Sequence, residues 1–385
     1  MGPCLDPSGG HFYNGAKGGC PLPAPRSVLA QMELYRPGGP QGALTRRSFV
    51  HLASNENPLG PSPRAVEALV QAAGGVHRYP EMFQTPLREA LGATWGLPPE
   101  QLVVGNGVDQ LIKLLAEAFL DPGQEAVFPA PSFSAYRQAA LLVGGTPRAV
   151  ALTDDRLDLV AMLRAVTERT RLVFICNPNN PTGTAVTAEP LRSFLRDLPG
   201  HALAVLDEAY AEYVEDPAFL SGLTLLREGR QLVTLRTFSK IYGLAGLRIG
   251  WAAGPEGVAQ ALMKVREPFS VNRLAEVAAV AALGDAEHLE RSRRLVAEGR
   301  AQLMAGLQAL GYRPVPSQAN FILVDVGEDS AQTALRLREQ GILVRDGGPF
   351  GLTRQLRITV GTREENAALL VALGEVRTHE PVPTA

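Results

Sequence analysis

Three short runs, 171–176, 202–207 and 232–235, are apolar almost throughout, with no alternation of polar and apolar residues. Amphipathic stretches with helical spacing, at 112–120, 189–198 and 257–266, lie around and between them. A strand that is apolar on both faces must be covered on both faces, and helices between such strands provide the cover. The pattern therefore predicts an α/β fold with a mostly parallel sheet flanked by helices. From about residue 272 the rhythm changes to a long helix at 287–310, a strand at 320–325, a helix at 331–340 and a strand at 355–360. This reads as a smaller α+β domain, to which the segment around 51–60 returns. The expected map is a leader and arm over 1–47, a small domain over 48–75 and 271–378, a large domain over 76–270 and a tail over 379–385. The leader is rich in Gly, Pro and small polar residues, a composition that buries little apolar surface.

Charge and cysteine content exclude several classes of function. The formal net charge of −2 leaves no electrostatic footprint for nucleic acid or an anionic membrane. Three cysteines, Cys4, Cys20 and Cys176, are too few and too scattered for a disulfide framework or a zinc site, and the six histidines show no metal spacing. No metal is expected. No apolar stretch approaches the ~20 residues of a membrane span, and the N-terminus lacks the apolar core of a signal peptide. A cytoplasmic protein is expected.

Chemistry enters through the lysines. Of 37 basic residues only Lys17, Lys113, Lys240 and Lys264 are lysines. A chain that otherwise writes its positive charge as arginine keeps a lysine where guanidinium cannot serve, and an ammonium that can lose its proton attacks aldehydes. Most lysines are solvated surface residues. Lys240 differs in its setting, Thr237-Phe238-Ser239-Lys240-Ile241-Tyr242-Gly243, directly after an apolar run.

Three further features also fall at the carboxyl ends of expected strands, where open α/β sheets bind ligands. Gly105-Asn106-Gly107-Val108-Asp109 leads into a helix, whose first N–H groups suit an anion, although most such turns are only turns. Cys176-Asn177-Pro178-Asn179-Asn180-Pro181-Thr182-Gly183 is at the least a rigid turn, and it also fixes amide donors at the sheet edge. In Asp207-Glu208-Ala209-Tyr210 the first carboxylate either caps the next turn or faces a cationic ring nitrogen. The hydroxyls of Thr237 and Ser239, with the cation of Arg248, suit a phosphate. A phosphorylated aromatic aldehyde with a protonated ring nitrogen satisfies all of these groups, and pyridoxal 5′-phosphate is such a molecule. Lys240 then supplies the imine nitrogen, Asp207 the partner of the ring nitrogen, Asn180 and Tyr210 the donors to the phenolic oxygen, and Phe133 a ring to stack on the cofactor face.

The ordered set Gly-Asn-Gly-x-Asp, Asn-Pro-Asn-Asn-Pro-Thr-Gly, Asp-Glu-Ala-Tyr, Thr-x-Ser-Lys and Gly-Leu-Arg-Ile-Gly-Trp resembles the fold-type I aminotransferases. Further segments resemble the histidinol-phosphate aminotransferases among them. These are Ser54-Asn55-Glu56-Asn57-Pro58-Leu59-Gly60, Arg78-Tyr79-Pro80, 209–213, 341–346 and 356–362, and the resemblance runs from about Tyr35 to about Leu373. It implies that Val108, Asp109, Thr237, Ser239 and Arg248 surround the cofactor phosphate. It implies also that Tyr79 reaches that phosphate from a second subunit, so that the working unit is a homodimer. Arg345 and Arg357 match the family's substrate-anion arginines, and Tyr35 a pocket tyrosine on the arm. Two departures stand out: Val108 occupies a position that usually carries serine, and Phe133 one that usually carries tyrosine. The leader before Tyr35 has no counterpart in the pattern.

The activity so implied is transfer of an amino group from L-histidinol phosphate to 2-oxoglutarate, giving imidazole acetol phosphate and glutamate, a step of histidine biosynthesis. One pocket must then accept a phosphate ester and a dicarboxylate in turn, which a pair of fork-shaped guanidiniums allows. Arg345 is expected at the start of a loop and Arg357 in the following strand, close enough to share a pocket mouth. Taken alone, Arg357 has a lesser second reading as an exposed strand residue, because Leu356, Ile358 and Val360 alternate with it. Three rival functions share the fold. An aromatic amino-acid aminotransferase keeps Arg357 for the α-carboxylate, and a threonine-phosphate decarboxylase releases CO2. The effector-sensing domain of a transcription regulator needs a DNA-binding domain of ~60 residues ahead of it, where only the Gly/Pro-rich leader is expected.

Overall fold

The structure, a computed structural model, describes residues 24–32, 34 and 49–378. Tyr35, expected in the pocket, lies outside the described residues, as do Cys4 and Cys20. In the leader a short 3-10 helix, Ser27–Gln31, is described. A compact unit begins at Tyr35.

Among the described residues twelve strands follow in chain order: β1 (Val50–Leu52), β2 (Leu102–Gly105), β3 (Glu125–Ala130), β4 (Thr146–Ala151), β5 (Thr170–Cys176), β6 (Leu203–Asp207), β7 (Leu232–Thr237), β8 (Gly250–Ala253), β9 (Arg313–Pro314), β10 (Phe321–Asp325), β11 (Ile342–Asp346) and β12 (Gln355–Thr359). Seven of them form one sheet in the order β2-β8-β7-β6-β5-β3-β4. Neighbours within β4 to β7 run parallel, and β8 is antiparallel to both of its partners. The apolar runs read from the sequence are the central strands β5, β6 and β7. Alternate residues supply opposite faces: Val173 and Ile175 join one apolar core, Leu172 and Phe174 the other. Two-sided burial is thus the reason these runs carry no polar alternation.

The second sheet, β1-β11-β12-β10-β9, is antiparallel except for β1, which lies parallel to β11. The 51–60 segment does return to the C-terminal part of the chain, with Leu52 opposite Val344. A third apolar core, including Leu52, Ile322, Ile358 and Leu373, lies on this sheet. Helix Ala286–Ala309 starts at Asp285, whose carboxylate accepts from the His288 N–H. Asp285 also accepts from Ser62 Oγ, the cap of helix Pro63–Ala72, so one side-chain pair fixes two helix starts. Among the described residues no helix is long and apolar enough to cross a membrane, and no cluster of His, Cys, Asp or Glu could hold a metal ion.

Candidate active site

Strand β3 is followed in the chain by β4 on one side of it, and β5 lies on the other. Connections leaving a sheet in opposite directions open a crevice at the carboxyl ends of the strands. Around that crevice lie Phe133 after β3, Asn180 after β5, Asp207 at the end of β6 and Lys240 three residues beyond β7.

Strand parity places Asp207 on the face of Val205, which is also the face covered by helix Ala135–Leu142. The side chain is 3% exposed. Its Oδ2 accepts from Tyr136 Oη at 2.6 Å and its Oδ1 from the Ala209 N–H at 3.2 Å. Burial raises its pKa to about 6; the two hydrogen bonds oppose the rise, and the charges of Asp109 and Glu208 add to it. Among the described residues Asp207 forms no ion pair. A buried carboxylate with only neutral donors is costly, and a cation in the crevice completes its surroundings.

Lys240 is half-buried and its Nζ donates to the Ser54 carbonyl at 3.1 Å. The ammonium lies 5.9 Å from the centre of the Tyr210 ring. Burial, and then the positive charge of Arg357, push the lysine down to about 8, with Glu56 working in the opposite sense. The next turn contains Gly243 at φ +69°, where a Cβ would collide with the Gly60 carbonyl. Only glycine lets the lysine loop lie against the 57–61 segment in this way.

Tyr210, 5% exposed, sits edge-on to Phe321, and its hydroxyl accepts from Asn55 Nδ2 at 3.1 Å; burial raises the phenol above its ordinary pKa. Asn180 Oδ1 accepts from Arg357 Nη1 at 2.6 Å, which leaves the amide Nδ2 as the group that can donate to a ligand. Arg357 also donates to the Ala53 carbonyl at 2.7 Å. The alternation of Leu356, Ile358 and Val360 does not put Arg357 in solvent: those three enter the third core, and the other face of β12 turns into the crevice, leaving Arg357 6% exposed. Arg345 differs from expectation in lying within a strand, not at the start of a loop, because β11 extends to Asp346 and pairs with β12. In that register Arg345 and Arg357 stand directly opposite each other, and both guanidinium carbons are 5.7 Å from the centre of the Phe350 ring. Like charges directly across a ladder destabilise it, and a multivalent anion between them reverses the sign.

The other end of the crevice is aligned by register. Thr237 pairs with Gly250 and Gly250 with Gly105, so one row across β7, β8 and β2 ends at helix Gly107–Phe119. Thr237 Oγ1 accepts from the Ser239 N–H at 3.0 Å. Arg248 adopts the left-handed conformation at φ +56°, uncommon for a residue with a side chain, and its Nη2 bonds Asp109 at 3.0 Å. A Cβ on Gly107 would stand 2.8 Å from Arg248 Nη2, so the arginine lies against the start of the helix. Val108, at that start, is buried with its side chain in the second core. An orphan helix N-terminus, two hydroxyls and an arginine form a cradle of donors suited to a phosphate. With the crevice acid and the lysine, the donor set fits pyridoxal 5′-phosphate.

Phe133 is half-buried beside Tyr136, ring edge to face at 5.8 Å. Tyr79 is not drawn into the group: it is 81% exposed and stacks on Phe269 at 4.7 Å. Sequence reasoning assigned no role to Tyr136, Asn55 or Phe350, which touch Asp207, Tyr210 and the arginine pair. Asn55 offered one signal, being an asparagine in the quoted 54–60 segment, and it is held at φ +55° with its N–H on Thr359 Oγ1 at 2.9 Å.

Comparison with known proteins gives a consistent picture. The model of the family "Aminotransferase class I and II" matches residues 47–373. Histidinol-phosphate aminotransferase of Moorella thermoacetica is 46% identical over 92% of this chain and 93% of that protein. That of Symbiobacterium thermophilum is 46% identical over 91% and 99%. The crystal structure of histidinol-phosphate aminotransferase from Sinorhizobium meliloti in complex with pyridoxal-5′-phosphate superimposes with a TM-score of 0.84 at 32% identity, covering 92% of this chain and 98% of the other.

Proposed function

The chain belongs to the class I and II aminotransferases, and from that membership we propose that it moves the amino group of L-histidinol phosphate to 2-oxoglutarate, giving imidazole acetol phosphate and glutamate. It is an aminotransferase acting on small molecules, and its cofactor is pyridoxal 5′-phosphate. That cofactor, when bound, supplies an aldehyde for the substrate nitrogen and a protonated ring that takes up the electron pair left by the broken Cα–H bond.

The side chains supply the rest. Lys240 Nζ accepts the Cα proton and returns it across the nitrogen as general base and acid, and a pKa of about 8 keeps a useful fraction neutral near pH 7.5. Asp207 holds the ring N–H by its charge. Asn180 Nδ2 and Tyr210 Oη donate to the ring oxygen, and Phe133 covers the ring face. The backbone at Val108 and Asp109, with Thr237, Ser239 and Arg248, takes the phosphate; the valine side chain contributes packing there and no hydroxyl. Tyr79, exposed and stacked on Phe269, is assigned on resemblance to the cofactor phosphate of a second copy, and on that ground we propose a homodimer. Tyr35 is assigned to the substrate pocket on resemblance. In this reading the cofactor residues lie in a large domain (76–270) and the arginine pair in a small one (48–75 and 271–378), and the protein works in the cytoplasm.

The observation that carries the choice of substrate is the facing pair Arg345 and Arg357, buried and beside Phe350. Two forks give up to about four directed N–H bonds, matched to a tetrahedral phosphate, whereas a lone carboxylate needs one. That favours a phosphorylated amine over a plain aromatic amino acid. Half-reaction spectra of the purified protein with histidinol phosphate, phenylalanine and threonine phosphate test it. Conversion by histidinol phosphate in preference to the other two is expected; faster conversion by phenylalanine, or CO2 from threonine phosphate, overturns it.

A further inference from the structure

Tyr136 has no assigned part in the reaction, yet its surroundings are those of a component set in place. The residue is fully buried, and its ring is fixed on three sides: stacked on Phe174 at 4.7 Å, tilted to Phe128 at 6.4 Å and edge-on to Phe133 at 5.8 Å. A ring so held cannot swing, so its hydroxyl is delivered to one place. That place is Asp207 Oδ2, at 2.6 Å. Core-filling alone asks for phenylalanine, since a buried hydroxyl must be paired to avoid a penalty. The bond joins two layers: Tyr136 comes from helix Ala135–Leu142 and Asp207 from the end of β6, while Phe133 lies three residues before Tyr136, just ahead of that helix.

We propose that Tyr136 is a positioning residue for the reaction: its hydroxyl holds the Asp207 carboxylate ionised and correctly turned toward the ring nitrogen of the bound cofactor. The inference rests on the reading of Asp207 as the partner of that nitrogen. The groups facing Asp207 make the hydroxyl important. Cys176 lies directly opposite on β5, and its thiol, pushed up to about 12 by burial and by the Asp207 charge, is a weak donor. Asp109 and Glu208 are like charges that favour the protonated acid. The Ala209 N–H is the other donor, at a longer 3.2 Å. Without the phenol, a single backbone N–H is left to stabilise a buried negative charge against two like charges.

Tyr136→Phe keeps the ring contacts and removes only the hydroxyl, so it separates positioning from packing. It is compared with Asp207→Asn and with the double variant, each as full-length protein, in two measurements: the dissociation constant of pyridoxal phosphate from fluorescence titration of the apoprotein, and kcat and KM for histidinol phosphate. A hydrogen bond to a charged group is worth roughly tenfold. Tyr136→Phe is therefore expected to weaken cofactor binding and to lower kcat about tenfold each, with KM little changed. In the Asp207→Asn background the same substitution has under about threefold effect, because the charge it serves is gone. Effects that multiply in the double variant, or a Tyr136→Phe protein with wild-type affinity and kcat, overturn the proposal while leaving Asp207 in its role. Near-normal turnover of Asp207→Asn removes that role, and the proposal with it.

Discussion

Replacing Asp207 by asparagine in the apoprotein should make the fold more tolerant of neutral pH, and the size of the effect follows from the burial of the acid. In the unfolded chain an aspartate titrates near 3.9; in the folded protein burial raises Asp207 to about 6. A raised folded-state value means that the native state holds the proton more tightly. The associated stability is fully present below about pH 3.9 and is lost as pH rises through about 6. The difference of about two pH units corresponds to about 3 kcal/mol. Asparagine cannot ionise, so its altered hydrogen bonding to Tyr136 and Ala209 adds only a pH-independent offset. Urea unfolding of wild-type and Asp207→Asn apoprotein, measured at intervals from pH 4 to 8, isolates the titration, because every other group cancels in the difference. The variant should gain about 2 kcal/mol relative to wild type between pH 4 and 7, most of it between pH 4 and 6, the interval between the two pKa values. A difference that stays flat across this range refutes the claim that Asp207 is an uncompensated buried acid. With pyridoxal phosphate bound the gain should vanish or change sign, since the cationic ring then faces the carboxylate.

Borohydride reduction of the holoprotein should fix the cofactor to the peptide containing Lys240, and capture of pyridoxal phosphate by the apoprotein should rise with pH to a midpoint of about 8; a label on Lys113 or Lys264, or a midpoint near that of an ordinary lysine, contradicts the assignment. Arg345→Ala removes one of two facing guanidiniums and should lower kcat/KM for histidinol phosphate by a factor of tens, about 2 kcal/mol, with a smaller loss for glutamate, both read from half-reaction kinetics. An inactive Lys240→Ala protein mixed with an inactive Tyr79→Ala protein should regain part of the activity if the two copies share sites; no recovery from subunits shown to exchange argues against sharing.

Much of the fold was legible because burial on both faces writes itself into composition. The runs at 171–176, 202–207 and 232–235 became β5, β6 and β7 with ends within a residue or two, as expected when every residue of a strand must be apolar. The antiparallel β8 was not singled out: it is equally buried but follows the lysine loop after a few residues, with only the short 3-10 helix Ala245–Leu247 before it and no α-helix to mark a crossover. Arg345 was expected at the start of a loop, yet pairing with β12 carries the strand on to Asp346. Pairing between segments is invisible to local pattern.

The sequence by itself determined which groups are proposed for the chemistry of the crevice: a lysine in a chain that is otherwise rich in arginine, an acid at a strand end and donors suited to a phosphate, each legible because its functional group has few substitutes. It also determined the layered α/β plan, through the periodicity of burial. Only the tertiary structure decided how these groups act on one another. Asp207 rises to about 6 and Lys240 falls to about 8 because they are out of water and near particular charges, and desolvation is a property of the whole surroundings. Tyr136 is 71 residues from Asp207 and Arg357 is 177 from Asn180. Their bonds exist because strand order and register bring distant segments to one crevice, and a chain read residue by residue carries no distance between such segments.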